Sequence, residues 1–376
     1  MSLFGEKKLG FGLMRLPLTD PEDAGSIDME QLCAMVDRFM EKGYTYFDTA
    51  WMYCKHQSES AVKTALVDRY PRDSFTLTTK FHVGYAKELA DRERIFRTQL
   101  EKTGAGFFDY YMVHSITRDN FPEYLRLEVF PWVSGLKAKG LARHIGFSFH
   151  GDPALLDEVL TRFPEMEFVQ LQMNYLDWEN EHVQSRACYE IARKHGKPIV
   201  VMEPVKGGTL ANIPSAGMQI YKGVHPDWTA PAWALRFVAG LPGVEMVLSG
   251  MSDLAQLEEN TDLFRQITPL TQEEQTAVAR VTEILKGGKA IPCTGCAYCT
   301  GGCPMGIPIP QLFGVYNADQ GVDRKKDENA AAFARLGETG GKPGDCIACG
   351  QCEGVCPQHL PIIEDLKAVA AHFEEG

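Results

Sequence analysis

No apolar run in the 376 residues approaches the roughly 18 that a membrane-spanning helix needs. The opening Met1-Ser2-Leu3-Phe4-Gly5-Glu6-Lys7-Lys8 also lacks the apolar stretch of a secretory leader. A soluble, cytoplasmic protein with no membrane partner is therefore expected. Basic charge is scarce: 38 Lys and Arg face 50 Asp and Glu, a formal net charge of −12. With no basic stripe to follow phosphates, nucleic acid is excluded as an expected partner. Missing too is a Gly-x-Gly-x-x-Gly that opens a helix after a strand, so the sequence has no Rossmann phosphate loop. Wholesale disorder is excluded by 44% hydrophobic against 23% charged residues, and the length allows one large domain or two ordinary ones.

What is present is an alternation. Short apolar runs at 9–13, 44–47, 75–79, 110–113, 144–147, 168–172, 199–202 and 246–248 read as eight strands. Between them fall amphipathic stretches. The first helix begins at Asp28 with Gln31 as its capping pair, places Met29, Leu32, Val36 and Phe39 on one face, and ends at Gly43. Further helices are expected at 58–70, 87–102, 121–139, 154–162, 182–195, 229–238 and 254–260, with a last one at 271–286. Strands alternating with helices pair in parallel through crossovers. Eight such units in about 280 residues fit an α/β (β/α)8 TIM barrel better than an open sheet. The barrel is expected over residues 1–286. After Gly287-Gly288 the composition shifts to Gly, Pro and Cys, and residues 287–376 read as a separate small domain.

Of 11 cysteines, eight lie in that tail. Cys293, Cys296, Cys299 and Cys303 form C-x2-C-x2-C-x3-C followed by Pro304, and Cys346, Cys349, Cys352 and Cys356 repeat the pattern before Pro357. Three thiolates at this spacing wrap a turn around a cube, while the fourth reaches elsewhere. Zinc is the alternative, since paired C-x-x-C units make four-thiolate sites. A third cysteine at the same spacing and the repeated Cys-Pro favour iron and sulfur. The runs resemble the bacterial two-cluster ferredoxins, in which the fourth cysteine of each run ligates the other cluster. That resemblance implies one [4Fe-4S] cluster on Cys293, Cys296, Cys299 and Cys356, and a second on Cys346, Cys349, Cys352 and Cys303. From Gly287 onward seven basic and eleven acidic side chains are present. An electron donor or acceptor that docks there is expected to carry a basic patch.

In a (β/α)8 barrel the chemistry sits at the carboxyl ends of the strands. Those ends carry Asp48, with Tyr53 five residues on, then Lys80 and His114. Singly each has a structural explanation; together, at successive strand ends, they do not. The stretches Phe47-Asp48-Thr49-Ala50-Trp51-Met52-Tyr53, Thr78-Thr79-Lys80 and Tyr110-Tyr111-Met112-Val113-His114 resemble the aldo-keto reductases. Gly10-Phe11-Gly12, Gly146-Phe147-Ser148, Gln170, Asn174 and Gly250 with Glu259-Asn260 extend the likeness over residues 8–285. The resemblance implies carbonyl reduction with Tyr53 as general acid. A free phenol, with a pKa near ~10, is a weak acid at neutral pH. A neighbouring ammonium, Lys80, would ease its ionisation, with Asp48 holding that lysine charged and His114 orienting the carbonyl oxygen.

The pattern departs from the family in the cofactor pocket. Ser148 is followed by Phe149 and His150 rather than by asparagine, and Met202 stands where a stacking ring is usual. Gly250 and Gln256 occupy the positions of phosphate-gripping cations. The cofactor contacts implied are Gly12, Arg15, Ser148, Gln170, Asn174, Met202, Lys206 of Lys206-Gly207-Gly208, Gly250, Ser252 and Asn260. Two cofactors stay open, NAD(P)H and FMN. Clusters pass single electrons while nicotinamides give hydride, and a flavin converts between the two. Cys33 and Cys188 read as core, Cys54 as a pocket neighbour, and His82 and His150 as rim residues. The expectation is an iron–sulfur oxidoreductase that reduces a carbonyl or activated alkene on a small molecule, with electrons relayed through its clusters. The rival is a non-catalytic redox sensor or electron-transfer subunit whose barrel only binds a cofactor.

Overall fold

The computed structural model describes residues 2–21, 23–288, 290–320 and 325–374. The chain divides into two compact units. One comprises Met1–Glu179, Gln184–Pro204 and Leu235–Pro269; the other comprises Asn180–Val183, Val205–Ala234 and Leu270–Gly376.

In the first unit the strands are β1 Leu9–Gly12, β2 Tyr46–Asp48, β3 Thr76–Phe81, β4 Phe108–Ile116, β5 Ala142–Phe149, β6 Phe168–Gln172, β7 Ile199–Met202 and β8 Val244–Ser249. They close in chain order into a barrel, and β1 pairs in parallel with both β2 and β8. The expected eight-stranded barrel is thus the fold. Strands buried on both faces need continuous apolar runs, which Phe-Val-Gln-Leu-Gln and Ile-Val-Val-Met nearly supply. At the amino ends of the strands Phe4 packs among Tyr46, Tyr110 and Phe168, with ring centroids 5.8, 4.9 and 5.2 Å away. Met112, Val200, Met246 and Leu248 complete this plug. With that end filled, the opposite rim is left for chemistry.

Local signals set the helices. Asp28 caps Met29–Glu41 by accepting the Gln31 amide at 3.0 Å, and Gly43 leaves it in the left-handed region at φ +77°, where a Cβ would be strained. The expected helix 121–139 is instead two, Phe121–Arg126 and Val129–Ala138, because Glu128 adopts φ 44° between them. The stretch 58–70 forms Ser58–Val62 and then a π-helical turn over Lys63–Val67. In the second unit a helix that the sequence pattern hid, Ser215–Val224, packs against Gln272–Lys286. Its Ser and two Gly are weak helix formers.

The rest of that unit builds a small core of its own. Ile291, Ile307, Leu312, Phe313, Leu360, Ile362, Leu366 and Val369 pack with the buried Cys299 and Cys352. The helices Ile309–Gln320, Lys326–Thr339 and Ile362–Phe373 frame the two cysteine runs. Among the described residues no helix is long and apolar enough to cross a membrane.

The aromatic plug generates a stability prediction. Phe168→Ala opens a cavity where Phe4 and Tyr110 pack, and is expected to cost about 3–5 kcal/mol. The midpoint of barrel unfolding in urea should fall while the iron content of the folded protein stays unchanged. A midpoint equal to wild type would contradict the plug's role.

Candidate active site and cysteine hollows

At the rim, strands β2, β3 and β4 bring four side chains together. The Lys80 ammonium donates to Asp48 Oδ1 at 2.5 Å, to the Thr49 carbonyl at 2.8 Å and to Tyr53 Oη at 3.3 Å. His114 stands edge-on to the Tyr53 ring with centroids 6.1 Å apart. Lys80 is fully buried and Asp48, Tyr53 and His114 nearly so. Burial pushes the Asp48 carboxyl up and the Lys80 ammonium down, and each is the charge that opposes the other's shift. Burial, followed by the Lys80 charge and the neighbouring His82 and His150, holds His114 well below the usual imidazole range. It is a neutral donor at physiological pH, and its Nδ1 has no partner among the described residues. Burial likewise pushes the partly buried His82 down to about 4.

The chain's path just after Tyr53 is strained. Cys54, Lys55 and His56 all adopt positive φ, at 50°, 50° and 68°. Non-glycine residues held there store energy, and such strain clusters at functional sites.

Several supporting residues had no signal in the sequence. Glu59, fully buried, accepts from Thr79 Oγ1 and from Gln99 Nε2 at 2.8 Å each, and pairs with Lys102 at 3.1 Å. Gln99 in turn donates to the Lys80 carbonyl at 3.0 Å and accepts from Tyr111 Oη at 2.8 Å. This network fixes the backbone that carries the lysine. Its members lie on four elements, so spacing alone does not reveal them.

The expected cofactor contacts are placed unequally. Ser148 sits opposite Gln170 in register, and its Oγ accepts the Ser115 amide at 2.7 Å, which ties it to the irregular end of β4. Gln170 is buried with Oε1 unpartnered among the described residues. Asn174 is occupied, donating to Asp177 at 2.8 Å and to the Glu203 carbonyl at 3.1 Å. Met202 ends β7, half-buried. Arg15 pairs with Glu203 at 3.2 Å, and its carbonyl accepts from Ser252 Oγ at 3.0 Å. Gly250 lies beside the Arg15 side chain, Gly12 ends β1, and Asn260 donates to Ser249 Oγ at 3.0 Å. Lys206 belongs to the second unit, where its ammonium donates to Gln358 Oε1 at 2.8 Å.

In that unit the cysteines surround two small hollows. Cys293, Cys296, Cys299 and Cys356 line one, with Gln358 and Thr294. Cys303, Cys346, Cys349 and Cys352 line the other. Each hollow thus takes three cysteines from one run and the last from the other run. A single zinc would draw its thiolates to about 2.3 Å from one point. Among the described residues no group of three or more ligand side chains could hold one ion. Thiols spread around a hollow suit a polynuclear cluster.

Comparison with known proteins agrees with both halves. Residues 8–283 match the aldo/keto reductase family, and residues 292–360 match a 4Fe-4S dicluster domain. An uncharacterised oxidoreductase of Schizosaccharomyces pombe is 25% identical over 266 residues, covering 67% of this chain and 80% of that protein. One from Bacillus subtilis is 23% identical over 281 residues, covering 66% and 87%. Among solved structures, a holo-form aldo-keto reductase of Bacillus halodurans shares the fold with a TM-score of 0.59 at 24% identity, covering 73% of this chain and 91% of that one. One of Klebsiella pneumoniae, in complex with NADPH, has a TM-score of 0.58 at 19% identity and covers 73% and 90%.

Thiol chemistry outside the hollows can be forecast. Burial pushes Cys54 up to about 11 and Cys188 up to about 12, whereas Cys33 is half-buried at the surface. With iodoacetamide at pH 8, peptide mass spectrometry should find Cys33 modified while Cys54 and Cys188 survive. Cys54 reacting as fast as Cys33 would contradict the buried pocket.

Proposed function

Because the chain belongs to the aldo/keto reductase family and carries a 4Fe-4S dicluster domain, we propose that it is an oxidoreductase that reduces a carbonyl or activated alkene on a small molecule at Tyr53. The observation that carries this reading is the buried Lys80 ammonium, 2.5 Å from Asp48 and 3.3 Å from the Tyr53 oxygen.

A reduced nicotinamide, were it held in the barrel mouth, would supply hydride chemistry. Tyr53 Oη gives its proton to the carbonyl oxygen as negative charge builds there, and Lys80 stabilises the charge left on the phenol oxygen. Asp48 keeps that lysine charged at a buried position. His114, neutral, donates to the same substrate oxygen and orients it. Solvent returns the proton to Tyr53 once the alcohol leaves. Gln170 Oε1, buried and unpartnered, is an acceptor that suits the N–H of a cofactor ring or carboxamide. The bound NADPH of the Klebsiella relative supports a nicotinamide here.

FMN is the second reading, since a flavin converts between hydride and the single electrons that clusters pass. The expected phosphate contact Arg15 is paired with Glu203, and neither Gly250 nor Gln256 is cationic, so a 2′-phosphate has few partners and NADH suits the pocket better than NADPH. Cys293, Cys296, Cys299 and Cys356 would hold one cluster and Cys303, Cys346, Cys349 and Cys352 the other, and such clusters supply one-electron transfer.

The test is turnover of an aldehyde and quinone panel by anaerobically purified protein, with NADPH, NADH or reduced viologen as donor. Tyr53→Phe should lose about 10²–10⁴ in kcat. Full turnover by that variant would refute the role of Tyr53, and no turnover by the intact wild type would favour the sensor. The acid limb of the wild-type kcat/KM profile should lie well below pH 6.5, because His114 stays neutral there. A limb at pH 6.5 would show that His114 titrates normally.

A further inference from the structure

Lys206 is 2% exposed, an unusual place for an ammonium, and its partner Gln358 is 152 residues away in sequence and 6% exposed. Gln358 lines the hollow of Cys293, Cys296, Cys299 and Cys356. The adjoining Gly207 takes φ +62°, and a Cβ there would stand 2.4 Å from the Thr294 carbonyl. Glycine is therefore what lets this loop press against Thr294, which sits between the first two cysteines and lines the same hollow. Through Gln358 and Thr294 the buried ammonium is thus built into the wall of that hollow.

The second hollow is served differently. Lys367, next to the hollow-lining Leu366, is exposed and paired with Glu364 at 2.6 Å. One hollow therefore has a buried ammonium bonded to its lining, and the other has only one that solvent screens.

We propose that Lys206, held by Gln358, is the positioning residue that raises the reduction potential of the cluster on Cys293, Cys296, Cys299 and Cys356 while leaving the other cluster's potential unchanged. Adding one electron adds one negative charge, which a fixed ammonium in a low-dielectric site favours; net charge and hydrogen bonding are what set such potentials. The inference deepens the reading above and rests on its assignment of the cluster ligands.

The test is a potentiometric titration of full-length, anaerobically purified protein with dithionite and viologen mediators, followed by electron paramagnetic resonance. Wild type should hold about eight iron atoms and show two midpoints. A lower iron content would overturn the ligand assignment and with it this proposal. In Lys206→Met with full iron, one midpoint should drop so that the reduced-to-oxidised ratio at the wild-type midpoint falls about tenfold, a one-electron shift of about 59 mV. The other midpoint should not move, and Lys206→Arg should keep both. Two unmoved midpoints in Lys206→Met, or two that shift equally, would overturn the proposal. If Lys206→Met loses iron, Gln358→Glu decides. A carboxylate against the ammonium should lower the same midpoint, and an unmoved one would overturn the inference.

Discussion

The barrel unit turns on one ion pair that water does not reach. Lys80 and Asp48 meet at 2.5 Å inside the mouth, where neither charge would survive without the other. Removing one partner of such a pair typically costs about 3–5 kcal/mol, because the remaining charge is left uncompensated. The surrounding structure can be understood as what keeps the pair in place. The closed barrel fixes the ends of β2 and β3, the Thr49 carbonyl takes a second ammonium hydrogen, and Glu59 with Gln99 braces the strand beneath. The Tyr53 oxygen, just before the turn with three left-handed residues, lies 3.3 Å from the same ammonium.

The second unit meets the opposite constraint. Its core is small, and six of the eight tail cysteines lie in it or pack against it, where a larger domain would place aliphatic side chains. Two hollows inside so few residues leave hydrophobic packing with little to do by itself, and filling them with clusters would supply the missing cohesion. The crossed sharing of Cys303 and Cys356 ties the two runs together across the long segment that separates them.

Much of this was written in the chain at short range. The strand and helix periodicities marked all eight barrel strands, and the Cys-Pro runs marked the dicluster domain, because each signal lies within a few residues. Asp48, Tyr53, Lys80 and His114 could be picked out because strand ends are where a barrel puts its chemistry. Long-range partners were not legible. Nothing near Lys206 announces that it meets Gln358. Glu59 and Gln99 look like surface residues of two helices until the fold buries them side by side. The break at Glu128 and the helix Ser215–Val224 were missed for a local reason: a left-handed residue and a run of weak helix formers do not disturb hydrophobic spacing.

The dependence of Tyr53 on Lys80 is most directly measured by a double-mutant cycle on kcat with Tyr53→Phe, Lys80→Met and the combined variant, each checked for folding by circular dichroism. If the lysine acts through the phenol, the combined variant should lose no more than about the larger of the single losses. Losses that multiply would mean that the two residues work independently, and the buried pair would then not be the tyrosine's source of acidity.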